Sequence, residues 1–350
     1  MTYRVVQWAT GAMGKAALRS MIDHPGVDVV GVYVYGAGKV GRDAGELANR
    51  APTGVLATND VDEILALKAD VVVHAGRLGP YGSHDDDLVR ILASGSNVIS
   101  INGYSHPEHW GGERLARLQK ACQEGGSSLM GAGLNPGFIA EQVATVATSV
   151  CLSVDHIEIV EAADASEVRD PAYLFDALGF GADPATVDPN DPSWGPASSL
   201  NGMYEETLSA VAHRLGMTLD RVESDHVVHA TPRDLEVPAG VIPAGTIGHT
   251  NWRWHAIVDG ERRLTMSIHW YVDRSHLDDA EPPLWRVAVT GHPGVRIAID
   301  MVKHPDDLSR MGAEQYGLAG QVINGLPHVV AAEPGVLTRP LATPFRADYA

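Results

Sequence analysis

The sequence predicts an α/β chain: a doubly wound parallel sheet, then a second, α+β domain built on a large, mainly antiparallel open sheet. Three observations carry this reading. Residues 1 to 131 repeat the order strand, helix, strand. The chain opens on an apolar strand that turns through small residues into a helix-forming segment. From Val222 to Asp300 apolar residues alternate with the period of two that a half-buried strand requires.

The opening stretch, RVVQWATGAMGKAALR from Arg4 to Arg19, organises the rest. Ala9, Thr10, Gly11, Ala12, Met13 and Gly14 form its turn, a G-x-G-x-x-G frame with Ala9 in place of the first glycine. A turn at Gly11 without a Cβ lets a diphosphate approach the backbone. The helix behind it offers unpaired N–H groups and roughly half a positive charge. Gly14 lets that helix lie close to the strands. Alone, the turn reads equally as an ordinary glycine-containing connection. The recurring βαβ order around it favours a Rossmann-type dinucleotide site.

The second strand is Val27 to Tyr35, VDVVGVYVY. An NAD-preferring site usually ends this strand on an acidic residue that holds the ribose hydroxyls. Tyr35 and Gly36 stand there instead, with Lys39 and Arg42 beyond. These cations suit the 2′-phosphate of NADP, or are solvated loop residues; NADP is expected and NAD stays open. Asp60 and Glu63 form a capping box for a short helix. Asp70 to Ala75 is a buried strand, and Ser83 is the expected cap of the next helix, with Asp85 and Asp86 favouring its positive end. Asn97 to Ile101, Glu113 to Glu124 and Ser128 to Gly131 continue as strand, helix and strand.

Past Gly137 the pattern changes. Phe138 to Ser149 reads as helical and Asp155 to Glu161 as a strand, and residues 170 to 200 form a long excursion through DPATVDPNDPSWGP. Trp252, Trp254, Ala256 and Val258, then Met266, Ile268, Trp270 and Val272, mark two strands joined by the hairpin signal Asp259-Gly260. The tryptophan face is expected to pack on helices of the same chain or on a second subunit. Gly312 to Val330 suits a helix interrupted by Pro327 that returns to the first domain, followed by an extended proline-rich tail. The expected boundaries are 1–135 for the dinucleotide domain, with a return over about 305–350, and 136–304 for the second domain.

A formal charge of −18 repels phosphate backbones and anionic lipids, which argues against nucleic-acid and membrane partners. No apolar run spans a bilayer, and the first strand leaves no room for a signal peptide, so a cytoplasmic address is expected. Cys122 and Cys151 form no C-x-x-C pair and read as small core residues. His106 and His109 form H-x-x-H, but Pro107 between them opposes a regular helix, and no metal is expected. No G-x-S-x-G elbow occurs.

A parallel sheet binds ligand outside the carboxyl ends of its strands, so the loops after residues 75, 101 and 131 should line one crevice. The first, with Gly76 and Arg77, lies beside the cofactor. The second, INGYSHPEHW, concentrates Asn102, Tyr104, His106, Glu108, His109 and Trp110. The third, GAGLNPGF, fixes Asn135 before Pro136. Glu108 is the preferred acid-base residue, because an apolar wall would raise its pKa by desolvation. The alternative is a solvated glutamate after a proline.

With the first turn, INGYSHPEHW and GAGLNPGF together, the chain resembles the dihydrodipicolinate reductase-like superfamily. Within it, the chain is most similar to the native NAD(P)H-dependent amine dehydrogenases, relatives of 2,4-diaminopentanoate dehydrogenase. The resemblance runs nearly the whole length and includes AEPGVLTRPLATP near the end. It implies a homodimer whose second domain serves substrate binding and dimerisation. It implies Glu108 as the catalytic carboxylate, Asn135 as a positioning group, and Phe138, Tyr173 and Leu178 as walls of an apolar pocket. Dihydrodipicolinate reductase itself is disfavoured, because IEIVEAADASEVRDP lacks that enzyme's paired histidines and lysine. The implied reaction is oxidative deamination of small aliphatic amines to ketones or aldehydes plus ammonia, and its reverse. Two alternatives stay open: another NAD(P)H-dependent imine or carbonyl oxidoreductase, and a non-catalytic NADP-binding dimer.

Overall fold

The computed structural model describes residues 2–338, which fall into two compact units. The first gathers the chain up to Arg77, Gly82–Phe138 and the stretch from Met301 to residue 338; the second takes Leu78–Tyr81 and Ile139–Asp300.

The first unit begins with β1 (Tyr3–Trp8), α1 (Ala12–Asp23), β2 (Val27–Tyr33), α2 (Ala44–Leu47), β3 (Ala57–Thr58) and α3 (Val61–Ala66). It continues with β4 (Val71–His74), α4 (Asp85–Ala93), β5 (Asn97–Ser100), α5 (Gly112–Gly125) and β6 (Ser128–Gly131). The strands are short and apolar on both faces, as strands covered by helices on each side must be. Val5, Val71, Val73 and Ile99 pack toward α1 in one core cluster. Val6, Trp8, Val72 and Val98 pack toward α4 and α5 in another.

Two helix starts differ from their expected form. Asp60 caps α3 by accepting from the N–H of Asp62 and Glu63. Glu63 does not reach back to Asp60 itself: Thr58 Oγ1 accepts from Asp60 N–H at 3.0 Å and donates to Glu63 at 2.7 Å, so a hydroxyl relays the second half of the box. Ser83 is not the cap of α4; His84 holds that position, without a side-chain capping bond. Three aspartates fill the first turn, where the helix dipole favours them.

In the second unit, a helical run that includes α6 (Ala144–Ala147) leads to β7 (Ser153–Asp164) and then α7 (Gly195–Arg214). Next come β8 (Arg221–Ser224), β9 (Val227–Ala230), and a small hairpin of β10 (Leu235–Val237) and β11 (Gly240–Ile242). The long strands β12 (Ile247–Val258) and β13 (Glu261–Tyr271), with β14 (Trp285–His292) and β15 (Val295–Ile299), complete it. The sheet order is β15-β14-β7-β13-β12-β8, with β9 also on β12. Its pairs are antiparallel except β7 with β13, which run parallel and make the sheet mixed. Asp259 and Gly260 turn the β12–β13 hairpin with φ of 52° and 75°, as a two-residue primed turn requires.

The tryptophan face is covered by the chain itself. Trp254 stacks on Tyr204 of α7 at 4.4 Å and donates its indole N–H to Asn201 at 3.0 Å. The opposite face of β12 carries His249, Asn251, Arg253 and His255.

The chain returns to the first unit as α8 (Ala313–Ala331) and β16 (Gly335–Leu337). Pro327 does not interrupt α8, which runs on through Ala331. Its missing N–H removes one bond, while Val322, Leu326 and Val329 on either side are held in the core beneath. The first sheet is then β16-β6-β5-β4-β1-β2-β3, and each of these pairs is parallel. The expected extended tail lies outside the described residues from 339 onward, as does the end of the AEPGVLTRPLATP segment. No helix among the described residues is long and apolar enough to cross a membrane.

Candidate active site

The turn between β1 and α1 is shaped by two close approaches. A Cβ on Gly14 would stand 2.3 Å from the carbonyl oxygen of Ala9, so only glycine lets α1 sit this near the strand. Ala9 itself has φ of 71°, and Gln7 Nε2 donates to its carbonyl at 2.8 Å. The left-handed strain therefore falls on the alanine that replaces the motif's first glycine, at a cost of roughly 1–2 kcal/mol. Gly11 has φ of −68°, and nothing lies within 4 Å of where its Cβ would be. The space in front of it is open. Gly11 makes no side-chain cap, and the first turn of α1 holds no acidic residue. The N–H groups of Ala12, Met13 and Gly14 thus meet that space with the positive end of the helix behind them. This is a donor set for a diphosphate.

Lys39 closes one side of the turn. Its Nζ donates to the Thr10 carbonyl at 2.9 Å and to the Thr10 hydroxyl at 3.1 Å. Burial, with Lys15 and Arg42 nearby, lowers the Lys39 pKa. Arg42 is bound to Glu46 at 2.6 Å and is well exposed. At the end of β2 the Tyr35 hydroxyl accepts from the Trp8 indole at 3.0 Å and donates to Asp87 at 3.2 Å. Burial pushes its phenol up to about 12; the Trp8 bond opposes this and the Asp87 charge adds to it.

The loops after β4, β5 and β6 leave the same edge of the sheet and are tied together. Asn102 Nδ2 donates to the Gly76 carbonyl at 2.9 Å, joining the first two loops. A Cβ on Gly131 would meet the Gly103 carbonyl at 2.6 Å, so the second and third press together as well. Tyr104, with φ of 69°, is buried and donates to Asp85 at 2.7 Å. Arg114 clamps that carboxylate with two bonds of 2.7 Å. Asp85 is thereby spent on anchoring the loop that carries Glu108.

Glu108 stands on the single turn Pro107–Trp110. Its side chain is 58% exposed, with His106 Nε2 3.6 Å from its carboxylate. Arg77 contributes its carbonyl, which accepts from His84 Nε2 at 2.8 Å. Asn135 is extended, with φ of −131° and ψ of 122°, and Phe138 is half-buried beyond it. In the second unit Tyr173 is 37% exposed. Leu178 is buried in a cluster with Leu174, Phe180, Leu235 and Ile242, a place in the core rather than on an open wall.

Sequence reasoning missed one cluster. His74, at the end of β4, comes together with His84 and Asp87, their ligand atoms within 4.8 Å of one another. Nine residues lie between the two histidines, and the loop they form carries no familiar metal spacing. The proximity of His84 and Asp87 across one helix start was the only sequence signal.

Comparison with known proteins bears on this architecture. Residues 5–77 match the family model described as dihydrodipicolinate reductase, N-terminus. The chain is 28% identical to an amine dehydrogenase of Streptomyces virginiae, over 95% of this chain and 93% of that one. It is 22% identical to 2,4-diaminopentanoate dehydrogenase of Acetoanaerobium sticklandii, over 96% and 92%. The solved structure of amine dehydrogenase from Mycobacterium smegmatis has the same fold, with a TM-score of 0.79 and 19% identity over 99% of this chain and 98% of that one. The resemblance to amine dehydrogenases thus extends along nearly the full length.

Proposed function

We propose that the chain is an NAD(P)-dependent amine dehydrogenase that oxidises small aliphatic amines to ketones or aldehydes plus ammonia and runs the reverse reductive amination. The observation that carries this is a juxtaposition within the first unit. The loop bearing Glu108 leaves the carboxyl edge of the same parallel sheet whose first turn presents uncapped N–H groups to open space. A dinucleotide fits that turn: the Gly14 approach seats the helix, Gly11 leaves room, and no carboxylate in the first turn repels a diphosphate. When bound, a nicotinamide would supply an acceptor or donor of hydride for the substrate's α-carbon.

The backbone of residues 9–14 would hold the diphosphate, and Gly76, Arg77 and Asn102 would line the remainder of the cofactor. For NADP over NAD the support is the lack of an acidic residue at the end of β2 and the grouping of Lys15, Lys39 and Arg42 beside the turn. Glu108 removes a proton from the substrate ammonium, freeing the lone pair that drives hydride loss. Once this exposed side chain has passed that proton to solvent, its carboxylate faces the iminium cation that forms, an attraction stronger in the transition state than with neutral amine. It next takes a proton from the water that adds, and the carbinolamine collapses to carbonyl and ammonia. Asn135 orients the reacting groups. Phe138 and Tyr173 supply apolar surface, with Leu178 packed behind Tyr173's helical turn. The second unit serves substrate binding and homodimerisation, and the two buried free thiols, Cys122 and Cys151, fit a reducing cytoplasm.

The test is the absorbance of reduced cofactor when the protein meets NADP⁺ or NAD⁺ with a panel of short aliphatic amines, beside the matching alcohols. Signal with amines alone, lost in Glu108→Ala, is expected. Silence with every amine, and with carbonyls plus ammonia in reverse, would overturn the reading.

A further inference from the structure

We propose that His74, His84 and Asp87 form a binding site for a first-row divalent metal ion, with Zn²⁺ the best-suited ion. Their three ligand atoms lie within 4.8 Å of one another, so that small side-chain movements would bring all three onto one ion. The donors are two imidazoles and a carboxylate, the mixed nitrogen and oxygen set that zinc takes.

Two independent observations support a site rather than a chance cluster. His74 is fully buried, yet neither ring nitrogen has a hydrogen-bond partner, a rare state for a buried polar group. The other ligands are already oriented by outer contacts. Arg77's carbonyl can only accept, so the 2.8 Å bond to His84 places the proton on Nε2 and leaves the lone pair on Nδ1. Handing the second N–H to a backbone carbonyl is how metal-bound histidines are usually fixed. Asp87 likewise accepts from Tyr35, itself held by the Trp8 indole.

The backbone makes room for the two rings. A Cβ on Gly76 would stand 2.6 Å from His84 and 2.9 Å from His74, so glycine at this point lets the rings meet edge to face, their centroids 4.9 Å apart. An ion here would pin the start of α4 to the end of β4. Three protein ligands leave a further position for water.

The experiment uses the full chain without an affinity tag, stripped by a chelator and titrated with Zn²⁺ alone against a chromophoric competitor. Wild type is expected to hold one tight equivalent and to melt at higher temperature with Zn²⁺ than without. His84→Gln and Asp87→Asn, changes at half-buried positions, should lose that equivalent while circular dichroism shows the fold retained. Tyr35→Phe, which removes an outer contact, should weaken binding about tenfold to a hundredfold. Folded wild type that binds no tight Zn²⁺ would overturn the proposal. So would equal binding by wild type and both ligand variants, and His74 would then be a neutral core histidine.

Discussion

The carbonyl oxygen of Ala9 occupies the space where a side chain on Gly14 would begin, 2.3 Å from its Cβ position. Gly14→Ala must therefore push α1 away from β1. We expect a loss of about 1–3 kcal/mol of stability by thermal unfolding, with weaker NADPH binding by fluorescence titration. Gly11→Ala is the contrast. Its backbone is in an ordinary region and its surroundings are open, so stability should hold while NADPH affinity falls. Retained affinity in Gly11→Ala would remove the diphosphate from this turn.

Lys39→Ala deletes the cation that leans over Thr10. If that ammonium turns to a 2′-phosphate, KM for NADP rises about tenfold or more while KM for NAD is unchanged, as befits a lost charged hydrogen bond. Arg42→Ala should do less, because Glu46 already holds that guanidinium. Equal effects on both cofactors would refute the NADP preference.

Glu108→Gln keeps the shape and removes the base. The position is exposed, so the fold should be unaffected, and kcat should fall by about 10²–10⁴. A drop confined to KM would make Glu108 a binding group only.

His226 makes the second unit sensitive to acid. The ring is buried, accepts from the Arg253 N–H at 3.0 Å and bonds Asn201 at 2.9 Å, an arrangement suited to neutral imidazole. Burial first of all holds its pKa down to about 4, against 6.5 in the unfolded chain. Between those values the unfolded chain takes up a proton that the folded chain refuses. Stability is therefore full above the unfolded pKa and falls as pH drops from 6.5 to about 4, by about 3 kcal/mol from this residue. Urea unfolding at about pH 7 and about pH 5 should show the loss, and His226→Gln should flatten the slope.

Much of the fold was legible in the sequence because its signals were local. The β1–α1 turn, the buried strands and the Asp259-Gly260 hairpin each announce themselves within a few residues. The helix α7 did not. It is buried on almost all sides, from Ala197 and Leu200 through Glu206, Ser209 and Ala212, so no apolar stripe stands out against a polar one. Ser83 looked like a cap because of its residue type alone. The true start of α4 is set by three-dimensional contacts, His84 against His74 and Asp85 against Arg114. At the site, the loop around Glu108 was visible from its density of acid-base groups. Its exposure was not, since that depends on Tyr104 and Arg114 drawing the loop down at one end. The meeting of His74 with Asp87 depends on a fold-back that no spacing rule records.

The pairing of β16 with β6 gives the first sheet an edge that arrives late. On a ribosome, the strands from β1 to β6 emerge early, but Gly335–Leu337 and the helix before them follow only after the whole second unit has been made. Through that interval β6 offers an unpaired row of backbone donors and acceptors to any neighbouring chain. A message truncated anywhere beyond Gly131 and short of residue 335 would yield a first unit with one sticky side.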